Sequence, residues 1–472
     1  MSETTVHRPA MRDIPAVGEL LGCTPLRRLV EEVGHDRVVA SARAVVAELR
    51  DRIASRGTDG NVPSMTALAE QIAARVHQSQ APKLRAVINA TGIVLHTGLG
   101  RAPLADEAVR AIVEVANQYA SVELDLESGR RSQRIVAVEG LLTELTGAEA
   151  AAVVNNNAGA TLLTLAALAA GREVIVSRGQ LIEIGGSFRL PDVMSGSGCV
   201  LREVGTTNKT RLEDYRGAIG DQTAALMLVH TSNFAVVGFT ATVTLAELVR
   251  LGQEHRLPVI HDIGSGALFD FAEFGCLGEP VAGESIRGGA DVVLFSGDKL
   301  LGGPQCGIIL GKRTYVEQIS RHPLMRALRV DKLTLAALAA TLRLYCRPDV
   351  ARREIPVLQL TAAPVESLRE RAGRIASRLA TGGILAAVET VADTSYIGGG
   401  SVPTQEIPTW CVALSASGAN VDALARRLRQ GEPSIVGRIR EGRLLLDLRS
   451  VMPRQDDQII AAIQRLDGAS AN

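Results

Sequence analysis

The chain has 472 residues, 46% of them apolar and 22% charged, with 51 Lys and Arg balancing 51 Asp and Glu. That length can bury a sizeable core and calls for one large domain with smaller ones, while a net charge of zero removes the global positive field that would draw a protein to nucleic acid. No apolar run reaches membrane-spanning length and residues 1–10 lack a signal-peptide core, so no membrane partner and a cytoplasmic location are expected.

In chain order, residues from about Ile14 to Gln80 read as wholly helical. Leu26, Leu29, Val30 and Val33 form one apolar stripe, and Val38, Val39, Val45, Val46 and Leu49 another. Residues 57–63 read as a loop, after which Ser64 caps a further helix. From about Leu84 to Tyr315 short strands alternate with helices. Ala151–Val154, Val174–Val176, Val200–Val204, Ala225–Val229, Pro258–Ile260, Val292–Phe295 and Gly307–Leu310 are the strand-like runs. Such alternation predicts a mostly parallel sheet covered on both faces. Beyond about Arg321, a helix over Leu333–Tyr345 leads into strands at Trp410–Ser415 and Arg443–Leu448 and helices at Asp422–Arg429 and Gln455–Leu466, a separate α+β lobe. The expected domains are therefore 1–82, helical; 83–320, α/β; and 321–472, α+β. The six cysteines show neither Cys-x-x-Cys spacing nor a neighbouring histidine cluster, so free thiols are expected and a metal site is not.

Two charged residues stand just beyond apolar runs of the α/β region: Asp262 in Val259-Ile260-His261-Asp262-Ile263-Gly264, and Lys299 in Ser296-Gly297-Asp298-Lys299-Leu300-Leu301-Gly302-Gly303-Pro304. Pyridoxal 5'-phosphate (PLP) needs a lysine amine for its Schiff base and a carboxylate that keeps its pyridine nitrogen protonated. Asp262 and Lys299 supply that pair in the chain order of the aspartate-aminotransferase-like (fold type I) enzymes. A phosphate cradle is expected where Ala151–Val154 runs through Asn155, Asn156, Asn157, Ala158, Gly159 and Ala160 into a helix, because first-turn N–H groups and the helix dipole attract an anion. Ser296 borders the lysine turn. His230 and Asn233 follow the strand ending at Val229, where α/β ligands bind. His230 reads equally as a cofactor contact or a structural residue, whereas His261, alternating with Asp262 on its strand, reads as packing. Arg130, Arg131 and Arg134 suit either an exposed basic turn or a loop over an active centre. Arg101 lies in a glycine-bearing turn, and Arg326 and Arg329 are three apart, on one face if helical. Guanidinium groups are suited to holding an oxyanion, but a solvated helix face explains paired arginines equally well.

The ordered segments 89–101 (Asn-Ala-Thr-Gly-Ile-Val-Leu-His-Thr-Gly-Leu-Gly-Arg), 154–158 (Val-Asn-Asn-Asn-Ala), 203–208 (Glu-Val-Gly-Thr-Thr-Asn), 230–234 (His-Thr-Ser-Asn-Phe) and 296–299 (Ser-Gly-Asp-Lys) resemble bacterial selenocysteine synthase, the L-seryl-tRNA(Sec) selenium transferases, and the likeness extends over nearly the whole chain. The resemblance implies a PLP enzyme that replaces the serine hydroxyl of seryl-tRNA(Sec) by selenium from selenophosphate. Lys299 would carry the cofactor and act as base, and Asp262 would hold the ring proton. Arg101, Arg326 and Arg329 would bind the selenophosphate anion, while Asp298 is expected to assist proton transfer on its position beside the lysine alone, not on the resemblance. It also implies a homo-oligomer, a ring of dimers with shared active sites, and a tRNA-binding N-terminal domain. Residues 1–80 carry ten Lys and Arg against ten Asp and Glu, so that role falls to a local patch such as Arg27, Arg28, Arg37 or Arg43. The alternatives are a small-molecule ammonia-lyase of the same fold, which would lack the helical unit, and a non-catalytic RNA-binding scaffold.

Overall fold

The computed structural model describes residues 14–56, 62–80, 83–185, 188–379, 381, 383–418 and 420–468. Two compact units emerge, residues 1–86 and 87–472.

The first unit consists of helices at Val17–Leu21, Thr24–Val33, His35–Arg56 and Met65–Gln80. The expected stripes make its core: Leu26, Leu29, Val38, Val45, Val46 and Leu49 are buried, with Leu68, Ile72 and Val76 from the last helix, while Val30 and Val33 pack at the edge. Ser64 caps that last helix, its Oγ accepting the Ala67 N–H at 3.2 Å. Most of the loop read at 57–63 lies outside the described residues.

The second unit begins with β1 (Val87–Ala90). After helices at Asp106–Ala116 and Val136–Thr146 come β2 (Ala150–Val154) and β3 (Glu173–Ser177), then a ribbon of β4 (Glu183–Ile184) and β5 (Phe188–Arg189). There follow β6 (Val200–Val204), β7 (Thr223–Val229), β8 (Val259–Gly264), β9 (Val292–Ser296) and β10 (Gly307–Gly311). Seven of these form one sheet in the order β2-β10-β9-β8-β7-β3-β6. Within it β10 is antiparallel to β9 and β2, and the remaining pairings are parallel. Every residue of β2, β7, β9 and β10 is buried, as strands covered on both faces must be. Side chains alternate between two cores: Val293 and Phe295 of β9 join the cluster containing Val153, Ile308 and Leu310, whereas Val292 and Leu294 join Ala152, Met227 and Ile309.

The remaining strands, β11 (Leu385–Ser395), β12 (Ile407–Ala416), β13 (Ser434–Arg440) and β14 (Arg443–Asp447), build a second sheet in the order β1-β13-β14-β12-β11. Helices Val365–Arg378, Val421–Gln430 and Asp456–Gly468 cover it through Leu368, Ile375, Leu424, Leu428, Ile459 and Ile463. β1 pairs in parallel with Ser434–Gly437 of β13 rather than joining the large sheet. Among the described residues, no helix is long and apolar enough to cross a membrane.

Candidate active site

Parallel pairing brings the carboxyl ends of β7, β8 and β9 to one edge. Val229 lies opposite Asp262, and Asp262 opposite Leu294, so the residues following β7 and β9 flank the aspartate. A cavity of about 290 Å³ opens there, with Asp262, Lys299, Ser296, Asp298, His230, Arg101, Asn156, Asn157 and Ala158 in its wall. The turn after β9 is tight because Gly266, at φ +78°, packs where a Cβ would fall 2.4 Å from the Ser296 carbonyl oxygen.

Asp262 is buried. Its Oδ1 accepts from Asn157 Nδ2 at 2.9 Å and the Gly264 N–H at 3.1 Å, and its Oδ2 from Thr161 Oγ1 at 3.0 Å. Burial pushes this carboxyl above its ordinary range, with Asn157, Thr161, Lys299 and Gly264 opposing. Lys299 is 5% exposed. Burial, then the Arg101 guanidinium, depress its ammonium form, against the attraction of Asp298, Asp262 and Glu279. Asp298 receives Arg101 Nη1 at 2.8 Å, and Arg101 adopts a left-handed backbone, φ +61°, uncommon for a side chain of its size.

The helix Asn157–Ala169 starts in the same wall. Asn156 is its N-cap, its Oδ1 accepting the Gly159 N–H at 2.8 Å, and Ala160 donates to the Asn156 carbonyl. Those two amides are used inside the cap, and Gly159 and Ala160 are buried behind the cavity wall. The first-turn amides of Asn157 and Ala158 are the ones helix geometry leaves for an anion. β10 approaches this turn closely, so a Cβ on Gly307 would lie 2.2 Å from the Asn156 carbonyl oxygen.

The other expected residues divide. His230 lines the cavity, but Asn233 is exposed and donates to the Glu183 carbonyl at 2.7 Å, tying down the β4–β5 ribbon, while the buried Ser232 takes the place in the wall. Arg326 and Arg329 do not line the cavity. Their helix, Leu324–Leu328, ends before Arg329, which is extended and bridges to Val154, so the two do not share a helix face. Arg329 lies 3.8 Å from Glu123, which also holds Arg134 at 3.0 Å and Arg131 at 3.3 Å, so the basic turn is an ion cluster outside the cavity. His261 is buried, and burial first, then His230, lower its pKa to about 3, so it stays neutral. Four of the six cysteines are buried; Cys23 is partly covered and Cys346 exposed.

Sequence reading missed Thr161, Gln305 and the apolar wall of Ile182, Ile184 and Phe188. Thr161 was within reach: it follows Asn157 by four residues, one turn along the same helical face. The ribbon residues carry no chemical signature.

The set fits PLP on physical grounds. Asp262 is a carboxyl whose charged form burial disfavours, a cost that a protonated pyridine nitrogen beside it would offset. Asn157 Oδ1 and His230 Nε2 are buried polar atoms without a hydrogen-bond partner. A lysine and a helix N-terminus complete the two anchors that the cofactor needs.

Comparison with known proteins agrees. A solved D-glucosaminate-6-phosphate ammonia-lyase superposes with a TM-score of 0.57 at 21% identity, covering 84% of this chain and 99% of its own, which shows the fold alone. That fold is the PLP fold type I architecture. L-seryl-tRNA(Sec) selenium transferase of Geobacter sulfurreducens is 48% identical, over 96% of this chain and 98% of its own. That of Moorella thermoacetica is also 48% identical, over 98% of each. Residues 11–50 match the selenocysteine synthase N-terminal family, and residues 87–452 match the L-seryl-tRNA selenium transferase family. The chain belongs to the L-seryl-tRNA selenium transferase family.

Proposed function

We propose that this protein converts L-seryl-tRNA(Sec) to L-selenocysteinyl-tRNA(Sec) with PLP on Lys299. The observation that carries the reading is full-length likeness to transferases of that name together with one cavity holding the buried Asp262, Lys299 and a helix N-terminus. When bound, PLP supplies the electron sink that makes the serine Cα proton acidic and the β-hydroxyl able to leave. Lys299, whose amine is depressed by burial, is the base at Cα. Asp262 holds the proton on the pyridine nitrogen, with Asn157 and Thr161 fixing its oxygens. Asn157 and Ala158 hold the phosphate through backbone N–H groups, and Ser296 and His230 close the wall.

In the net reaction the serine Cβ–O bond breaks, and the Cα proton and hydroxide leave as water. A Cβ–Se bond then forms as a proton returns to Cα, and water cleaves the bond from selenium to phosphorus, releasing phosphate. Arg101 binds the selenophosphate anion and Asp298 governs it, since the two are already paired at 2.8 Å. Arg326 and Arg329 stand outside the cavity of their own chain, so in this reading they complete the anion site in an assembly of dimers with shared active sites. The N-terminal helices bind the tRNA. The match of residues 11–50 to a selenocysteine synthase N-terminal family favours this substrate over a small-molecule amino-sugar acid. Incubation with seryl-tRNA(Sec) and radioselenium-labelled selenophosphate should label the aminoacyl ester. No label in a protein that binds PLP would return the small-molecule lyase.

A further inference from the structure

A second cavity, of about 480 Å³, lies beside the first, and Val229 and His230 belong to both walls. Glu279 and His261 border only the larger one. None of the chemistry above uses Glu279. Its side chain is 1% exposed, and its Oε1 stands 3.5 Å from His230 Nε2, an ion-pair separation longer than a made hydrogen bond. Glu279 Oε2 and His230 Nε2 are both buried without a hydrogen-bond partner. Such atoms are costly unless a functional arrangement retains them.

Glu279 is also anchored. Its Oε1 accepts the Val402 N–H at 2.5 Å, and Val402 is a β-branched residue held at φ +50°. Strain of that kind persists where the surroundings over-determine it. The same loop packs on the cofactor side, since a Cβ on Gly400 would lie 3.1 Å from Ile184 of the cavity wall. Glu279 therefore has a fixed position at the back of His230. Burial pushes its carboxyl up, but His230, then the Ser265 hydroxyl and the Val402 N–H, more than offset this, so it lies below its ordinary range. Lys299 also senses that charge.

We propose that Glu279 is a positioning residue that acts through His230: its carboxylate draws Nε2 toward the second cavity and so fixes which edge of the imidazole faces PLP. A histidine whose ring orientation is set by a carboxylate behind it is a recurring device wherever the forward nitrogen or ring face must be fixed. His261, which borders the same cavity, is held neutral by burial and by His230 and does not compete for the carboxylate. This inference rests on PLP occupying the Lys299 cavity.

Two measurements test it. In the cofactor-free full chain labelled with nitrogen-15 histidine, the neutral His230 ring should carry its hydrogen on Nε2, the atom facing Glu279. The opposite tautomer overturns the proposal without any variant at Glu279. With PLP, E279Q keeps an oxygen for Val402 while removing the charge. E279Q and H230Q should each weaken PLP retention by about five- to tenfold and shift the visible absorbance of the bound cofactor. The double variant should be no worse than H230Q alone, because both changes remove one unit. Additive losses, or an E279Q shift that persists in H230Q, contradict the proposal. A chain that never binds PLP at Lys299 would instead sink the reading beneath it, while the tautomer would still report on Glu279.

Discussion

In the proposed reaction Lys299 and Asp262 are the two residues on which the chemistry turns, and each has a distinct signature. Lys299→Ala should leave no PLP that borohydride can fix to the chain; yellow protein surviving reduction and dialysis would mean the lysine is misassigned. Asp262→Asn should still take up cofactor but lose about 10²–10³-fold in kcat/KM, the scale of one preorganised electrostatic partner. Burial and Arg101 disfavour the charged form of Lys299, so its amine loses its proton below the ordinary lysine value of about 10.4. The unprotonated amine is the form that reacts with the aldehyde of PLP. Reconstitution of the cofactor-free chain should therefore accelerate as pH rises and level off below about pH 10. Arg101→Gln should move the plateau to higher pH, and an unmoved plateau would show that the guanidinium does not act on the amine. The same sign governs stability: between the folded and unfolded values the unfolded chain binds more protons, so the cofactor-free protein gains stability with rising pH there.

At the scale of elements, the site proposed for the cofactor's phosphate is shaped by how closely β10 approaches the turn after β2. Gly307→Ala would drive a Cβ toward the Asn156 carbonyl, a backbone clash that no rotamer relieves. The expected cost is about 1–3 kcal/mol in stability with weaker PLP binding, read by thermal unfolding and cofactor titration; unchanged values for both would remove the close approach from the account. All seven strands of the large sheet were legible in the sequence: β2, β7, β9 and β10 are buried throughout and read as short apolar runs, whereas the partly exposed edge strand β6 was marked by its β-branched and aliphatic Val200, Leu201 and Val204. β11 was not, since it is a long sheet-edge strand whose residues, such as Glu389, Thr390 and Asp393, are mostly polar or partly exposed. The partner of β1 was equally hidden: pairing with β13 joins residues more than three hundred positions apart. In the site, Asp262, Lys299 and the Asn156–Ala158 turn were readable because their chemistry follows a strand. Asn233 was misread because one polar residue in a turn looks like another, and Glu279 lies in a loop with no pattern around it.

For the whole molecule, the neutral chain must handle a polyanion through local charge. Arg27, Arg28, Arg37 and Arg43 are all exposed on the first unit. Replacing Arg28 or Arg43 with Ala should weaken tRNA binding and reduce the slope of log affinity against log salt by about one for each phosphate no longer neutralised, leaving PLP absorbance unchanged. An unaltered slope in every such variant would move the tRNA surface elsewhere. The proposed sharing of active sites between copies makes a separate demand. Neither Lys299→Ala nor Arg326→Ala protein should transfer selenium, but mixed assemblies of the two should recover part of the activity, because some cavities then draw both residues from intact copies. No recovery would place both functions in one chain.

The central claim is a two-stage exchange at the serine β-carbon, and mass spectrometry of the aminoacyl group reads it most directly. PLP-loaded protein incubated with seryl-tRNA(Sec) should yield a dehydroalanyl product without selenophosphate and a selenocysteinyl product with it. A seryl ester left untouched under both conditions, by protein that holds PLP on Lys299, would contradict the account.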